Sequence, residues 1–179
     1  VSHYGTLIPD GQKKIMRFNE FQRIVTRILP AIRKAEYFQF STFEAMLHKD
    51  IFRMMDTILK INPEMKFPIL TNAMVMDRDK LEKLSAYPIS ELNISLDGIT
   101  AETVESFKTG VSFNKIVETM GMISEMKFPA PLATVFVAHK GNIHELPEYI
   151  DFVHRYGVQT VYVNNLLTFT PDMVGMELY

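Results

Sequence analysis

Glu91-Leu92-Asn93-Ile94-Ser95-Leu96-Asp97-Gly98 is the stretch on which the fold reading turns. A strand turns successive side chains to opposite faces, so Leu92, Ile94 and Leu96 share one face and Asn93, Ser95 and Asp97 the other. In a parallel β/α arrangement helices cover the apolar face. The polar set then points into the barrel, toward the carboxyl end of the strand, where such folds place their ligands. Inward polar groups cost energy unless they are hydrogen-bonded, which favours a site. The other reading, in which Asp97-Gly98 is turn chemistry and Asn93 and Ser95 a solvated face, stays open on the sequence.

Working outward, further β-prone runs flank this one: Tyr37 to Phe40, Phe67 to Thr71, Leu132 to Ala138 and Val158 to Val163, with Leu92 to Leu96 the middle run. Each follows a segment with helical periodicity. Phe21, Ile24, Val25, Ile28, Leu29 and Ile32 form the first stripe, with Asn19 and Gln22 as its capping pair and Pro30 as a kink. Ile51, Met54, Met55, Ile58 and Leu59 form the next, then Leu81 with Leu84, then Ile116, Met120 and Ile123, and last Leu146, Ile150 and Val153. Asp77, Thr100 and Ser112 have helix-capping chemistry, and Pro147 suits a first turn. Strict alternation predicts a parallel sheet with right-handed crossovers. Residues 1–17, with Pro9-Asp10-Gly11 as a turn, read as an N-terminal loop, and the series opens without the first strand of a regular β/α repeat. One domain over residues 1–179 is expected.

Composition narrows the chemistry. A chain of 179 residues that is 47% hydrophobic can bury a substantial core. Its 19 basic and 21 acidic residues are interspersed, which gives no footprint for nucleic acid or an anionic membrane. No apolar stretch approaches the roughly 20 residues that span a bilayer, and a cytoplasmic location is expected. With no cysteine there is no thiolate ligand, disulfide or thiol nucleophile, and the five histidines show no His-x3-His pair. The 12 methionines read as core filler. Polar residues recur after the strands: Ser41, Thr42 and Glu44, then Thr71 and Asn72, then His139 and Asn142, then Asn164 and Asn165. Singly these are loop residues; their shared rim is what suggests a site.

Asn93-Ile94-Ser95-Leu96-Asp97-Gly98, followed by Thr100, Glu102, Thr103, then Phe107-Lys108-Thr109-Gly110 and Ser112-Phe113, resembles the "ISLDG", "T-x-E-T" and "R-x-G-x-x-F" series of the radical S-adenosylmethionine (radical SAM) enzymes, in particular the peptide-maturase type with a C-terminal SPASM extension. Thr71-Asn72-Ala73 is similar to that family's "TNG". The segment from Phe40 to Phe52 resembles "SGGGEPLLHPDIF", with Glu44 kept and Thr42, Phe43 and Ala45 in place of two Gly and the Pro. Glycine allows close backbone approach, so Phe43 is expected to crowd the methionine end of a ligand. The resemblance runs from about residue 12 onward. It implies an α/β fold, a partial TIM-like (β/α) barrel of parallel strands with the first strand and the cluster loop missing.

The same resemblance implies S-adenosylmethionine and a [4Fe–4S] cluster as cofactors, the cluster held by a C-x3-C-x2-C loop that this chain lacks. Residues Val1 to Lys14 are similar to the segment that follows the third cysteine, which suggests a fragment; a degenerate, cluster-free paralogue is the alternative. Carried over position by position, Glu44, Ser95 and Lys108 would hold the methionyl and ribosyl parts of the cofactor, with Asn72 and Asn93 lining the cavity. Lys108 stands where relatives carry a carboxylate-binding Arg, keeping the charge without the bidentate fork. Val137 and the Tyr162 to Asn164 stretch, Tyr162 and Asn164 included, are placed near the adenine by barrel position alone. The expected partners are a small-molecule or peptide substrate, with a missing N-terminal segment or a partner chain completing the barrel. Three functions follow: the core of an enzyme that reductively cleaves S-adenosylmethionine to a 5′-deoxyadenosyl radical, a peptide- or protein-binding module, and, more weakly, an aldolase-like barrel. Against the last, no strand lysine and no paired carboxylates are evident.

Overall fold

The computed structural model of the chain describes residues 15–41, 44–168 and 171–178. The N-terminal turn at Pro9-Asp10-Gly11 and the crowding expected of Phe43 lie outside those residues. Helix α1 (Phe18–Arg27) and the short α2 (Leu29–Ile32) come first, separated at Ile28, with Pro30 in the first turn of α2, where its missing N–H is harmless. Then follow α3 (Ile51–Ile61), β1 (Phe67–Thr71), α4 (Arg78–Ser85), β2 (Ile89–Ser95), α5 (Ala101–Phe107), α6 (Phe113–Met126), β3 (Leu132–Ala138), α7 (Leu146–His154) and β4 (Thr160–Asn165). The sheet order is β1-β2-β3-β4 and each pairing is parallel, the partial barrel read from the alternation.

Caps fall where the sequence puts them at three helices. The side chains of Asp77, Thr100 and Ser112 accept the backbone N–H of Lys80, Thr103 and Lys115. The first helix differs. Its cap is Arg17, whose N–H donates to the Glu20 carboxylate at 2.7 Å, because the chain is still extended at residue 17; Asn19 and Gln22 then lie inside the helix rather than capping it. Two stripes need correction as well: Ile24 and Ile28 are 43% and 39% exposed, and in α7 Tyr149 is turned inward while Ile150 is 51% exposed.

The expected strand Tyr37 to Phe40 is reduced to one bridge, Tyr37 with Lys66. Lys66 N–H donates to Glu36 C=O at 3.0 Å and Phe38 N–H to Lys66 C=O at 2.9 Å, while Phe67 N–H turns the other way, to Pro88 C=O. By alternation the next donor toward this run is residue 68. It is proline, which has no N–H, so the ladder ends.

Leu92, Ile94 and Leu96 are fully buried beneath the helices with Phe67, Ile69 and Phe136, and the helices meet them with Met54, Met55, Ile58, Leu81, Leu84, Ile116 and Met120. This layer makes the helical side of the sheet chiefly apolar, with the hydroxyls of Thr134 and Tyr149 buried within it. The opposite face is left to the site.

Candidate functional site

Register fixes which side chains share the open, concave face. Leu70 pairs with Asn93, Ser95 with Val135, and Val137 with Asn164. The partners of a parallel pair point the same way, so Asn93, Ser95, Val135 and Val137 form a half-buried floor with Asn164 exposed at its edge. Tyr162 is on this face too, opposite Val135, but its hydroxyl reaches down the sheet to Glu91 Oε1 at 3.2 Å. The Glu91 charge, with a smaller contribution from burial, holds that phenol above its usual value. Tyr162 is therefore directed to the amino end of this face.

At the carboxyl end of β2, three predicted polar residues meet. The ammonium of Lys108, the residue that ends α5, donates to Ser95 Oγ at 2.7 Å and pairs with Asp97 Oδ2. Asp97 is 1% exposed, and its other oxygen accepts the N–H of Val137 at 2.9 Å. Asn142, fully buried, donates from its amide to the carbonyls of Asp97 and Val137, both at 2.9 Å, and accepts the His139 N–H at 2.8 Å. Asn142 thus locks two strand ends together. His139 lies flat on Phe107, ring centres 4.3 Å apart, and its Nδ1 accepts the Gly141 N–H. Burial pushes this imidazole below its ordinary value; the nearby Asp97 opposes that shift and Lys108 adds to it.

Glu44 and Asn72 meet on the β1 side. Glu44 Oε2 accepts the Thr71 hydroxyl at 2.7 Å and the Asn72 N–H at 2.8 Å, and Oε1 accepts the Met46 N–H at 3.2 Å. Its carboxylate organises the loop as well as facing the rim. Asn72 Oδ1 accepts the Met74 N–H, a local turn that carries the chain through Ala73 at φ 68°, a left-handed conformation where the resembling motif has glycine.

Sequence reasoning missed Glu145. This buried carboxylate accepts the Ile99 N–H at 2.6 Å and the Thr103 hydroxyl, so it anchors the loop from β2 into α5. It also explains Gly98: a Cβ there would sit 2.7 Å from Thr103 Cγ2 and 2.8 Å from Glu145 Oε2. Nothing local in the sequence announces a contact 46 residues away.

Two cofactors were expected, and the residues answer differently for each. A cluster does not fit this chain: it has no cysteine, and no group of three His, Asp or Glu is placed to hold a metal among the described residues. A nucleoside with an amino-acid tail matches the chemistry of the groups on this face. The floor supplies Val135 and Val137, the Asn93 and Asn164 amides have no partner among the described residues, and Lys108 and Glu44 supply opposite charges on the rim.

The family model described as "Radical SAM superfamily" matches residues 4–153. None of the curated proteins matches the sequence. Among solved structures, Streptococcus suis SuiB bound to S-adenosylmethionine superposes with a TM-score of 0.69 at 14% identity, over 89% of this chain and 36% of that one. Native anSMEcpe with bound AdoMet and Kp18Cys peptide gives 0.68 at 18% identity, over 86% of this chain and 44% of that one. The methyltransferase TsrM from Kitasatospora setae, with cobalamin and a [4Fe-4S] cluster bound, gives 0.60 at 11% identity, over 87% and 31%. At such identities the likeness shows a shared fold, and this chain spans less than half the length of each of these proteins.

Proposed function

The chain belongs to the radical SAM superfamily, and from that footing we propose that it is the part of such an enzyme's barrel that holds S-adenosylmethionine, with the iron–sulfur cluster supplied by residues outside these 179. Bound there and given one electron by the cluster, the cofactor would release methionine and supply a 5′-deoxyadenosyl radical for hydrogen abstraction from a substrate. The chain's own contribution is to orient it and to exclude water. Ser95 and Lys108 take the ribosyl and carboxylate parts, Glu44 faces the amino group, Asn72 and Asn93 line the cavity, and Val137 and Asn164 lie toward the adenine.

The observation that carries this reading is the meeting of Ser95, Lys108 and Asp97 at one strand end, above a half-buried floor. A peptide is the substrate class favoured, since anSMEcpe is described with a bound peptide. The test is anaerobic reconstitution of the longer gene product with iron and sulfide, followed by assay for 5′-deoxyadenosine. Production of 5′-deoxyadenosine is expected; a product that takes up cluster and makes none defeats the proposal.

A second reading is a cluster-free module that binds a peptide or protein. It draws on the absence of cysteine and on the sheet's outer strand, where Val163 is 48% exposed. A longer gene product lacking three cysteines at the family's spacing would favour it.

A further inference from the structure

The cation on the rim is already accompanied. Lys108 donates to Ser95 Oγ at 2.7 Å and pairs with Asp97, and the two side chains differ sharply in freedom: Lys108 is 25% exposed and Asp97 1%. Asp97 is held on both sides, its carboxylate by the Val137 N–H and its carbonyl by the Asn142 amide, each at 2.9 Å. It cannot turn away when something else approaches Lys108. The Ser95–Lys108 contact does not make a nucleophile and base, because the ammonium is a donor to Ser95 and to Asp97 and offers no lone pair for the hydroxyl proton.

A ligand carboxylate arriving at Lys108 would therefore share it with a fixed anion. We propose that Asp97 is a specificity-determining residue, an immobile carboxylate that sets how strongly this rim discriminates a ligand with an amino-acid carboxylate from the same nucleoside without one. This rests on the reading of the concave face as an adenosyl-ligand site. The sign follows from electrostatics: the nearby like charge opposes the incoming carboxylate, and removing it leaves Lys108 uncompensated. Asn at position 97 keeps an oxygen for the Val137 N–H while losing the charge.

The test is calorimetric titration of the chain and its D97N and K108M variants with S-adenosylmethionine and with its decarboxylated form, which keeps the sulfonium and the amine and lacks only the carboxylate. D97N is expected to raise the preference for S-adenosylmethionine over the decarboxylated ligand by at least about fivefold, the scale of one like-charge contact at about 4 Å under the full screening of water, and K108M to lower it. If D97N alone does not fold, D97N/K108M against K108M carries the same comparison, and the preference should again rise. An unchanged or lower preference on removing the Asp97 charge, with both ligands still bound, overturns this inference alone. Failure of the wild-type chain to bind either ligand overturns the adenosyl-site reading and this inference with it.

Discussion

The centre of the sheet and its two margins are built on different physics. At the centre, β2 and β3 are sealed on one face by hydrocarbon and tied at their carboxyl ends by Asp97, Asn142 and Glu145, each a buried polar group with its partners supplied. At the margins, Tyr37 is 55% exposed on a ladder of one bridge, and β4 shows Val163 at 48%. The rigid centre is where the candidate site sits. A ligand site needs donors and acceptors held still before the ligand comes, and side chains locked by their neighbours provide that.

Side-chain truncation separates the centre of the sheet from its margins by the largest difference in stability. Leu92→Ala, in the sealed layer, should destabilise by about 3 kcal/mol, whereas Val163→Ala should cost about 0.5 kcal/mol or less. Urea unfolding of both variants checks this, and comparable losses would mean that β4 is as integrated as β2. Gly98→Ala comes next, at about 2 kcal/mol, because the added methyl meets Thr103 and Glu145, both fixed by their mutual hydrogen bond. If Gly98→Ala is neutral in the same assay, the β2–α5 loop is softer than the Glu145 anchor implies.

A pH effect sharpens the contrast further. The His139 imidazole is depressed in the fold, chiefly by burial, so below the unfolded value of 6.5 the unfolded chain binds a proton that the folded chain resists. Stability should therefore fall as pH drops through about 6.5 toward the depressed folded value, and be fully present above it. His139→Gln should flatten that part of the stability profile; an unaltered slope would assign it to other groups.

What the sequence disclosed follows the same division. Alternation in residues 92–97 and the helix caps at Asp77, Thr100 and Ser112 were legible because they depend on neighbours in the chain. The rim was partly legible: the polar residues stood at strand ends, but their pairing depends on tertiary geometry. Lys108 meeting Asp97 and Ser95 across a helix, or Glu145 reaching Ile99, leaves no periodic trace. For Tyr162 the limit is related, since register puts it on the concave face but only a long side chain's lean decides which end it serves. Ile24, Ile28 and Ile150 misled because an apolar residue at helical spacing need not be inside.

The smallest effect concerns the margin at Tyr37, where β-propensity alone predicts a full strand. Phe38 and Phe40 pack against each other, their ring centres 4.9 Å apart, and Phe40 against Phe67 at 5.6 Å, so the run lies against β1 without being stitched to it. If Pro68 is what stops the ladder, Pro68→Val supplies an N–H aimed at the Phe38 carbonyl and adds one hydrogen bond, about 0.5–1 kcal/mol of stability. The local signature is sharper than the global one: amide exchange at residues 38 and 68 should slow relative to the neighbouring loop. If the new amide exchanges as fast as an open loop, packing rather than the missing donor holds the run apart, and the weakness of this margin would then belong to the aromatic cluster.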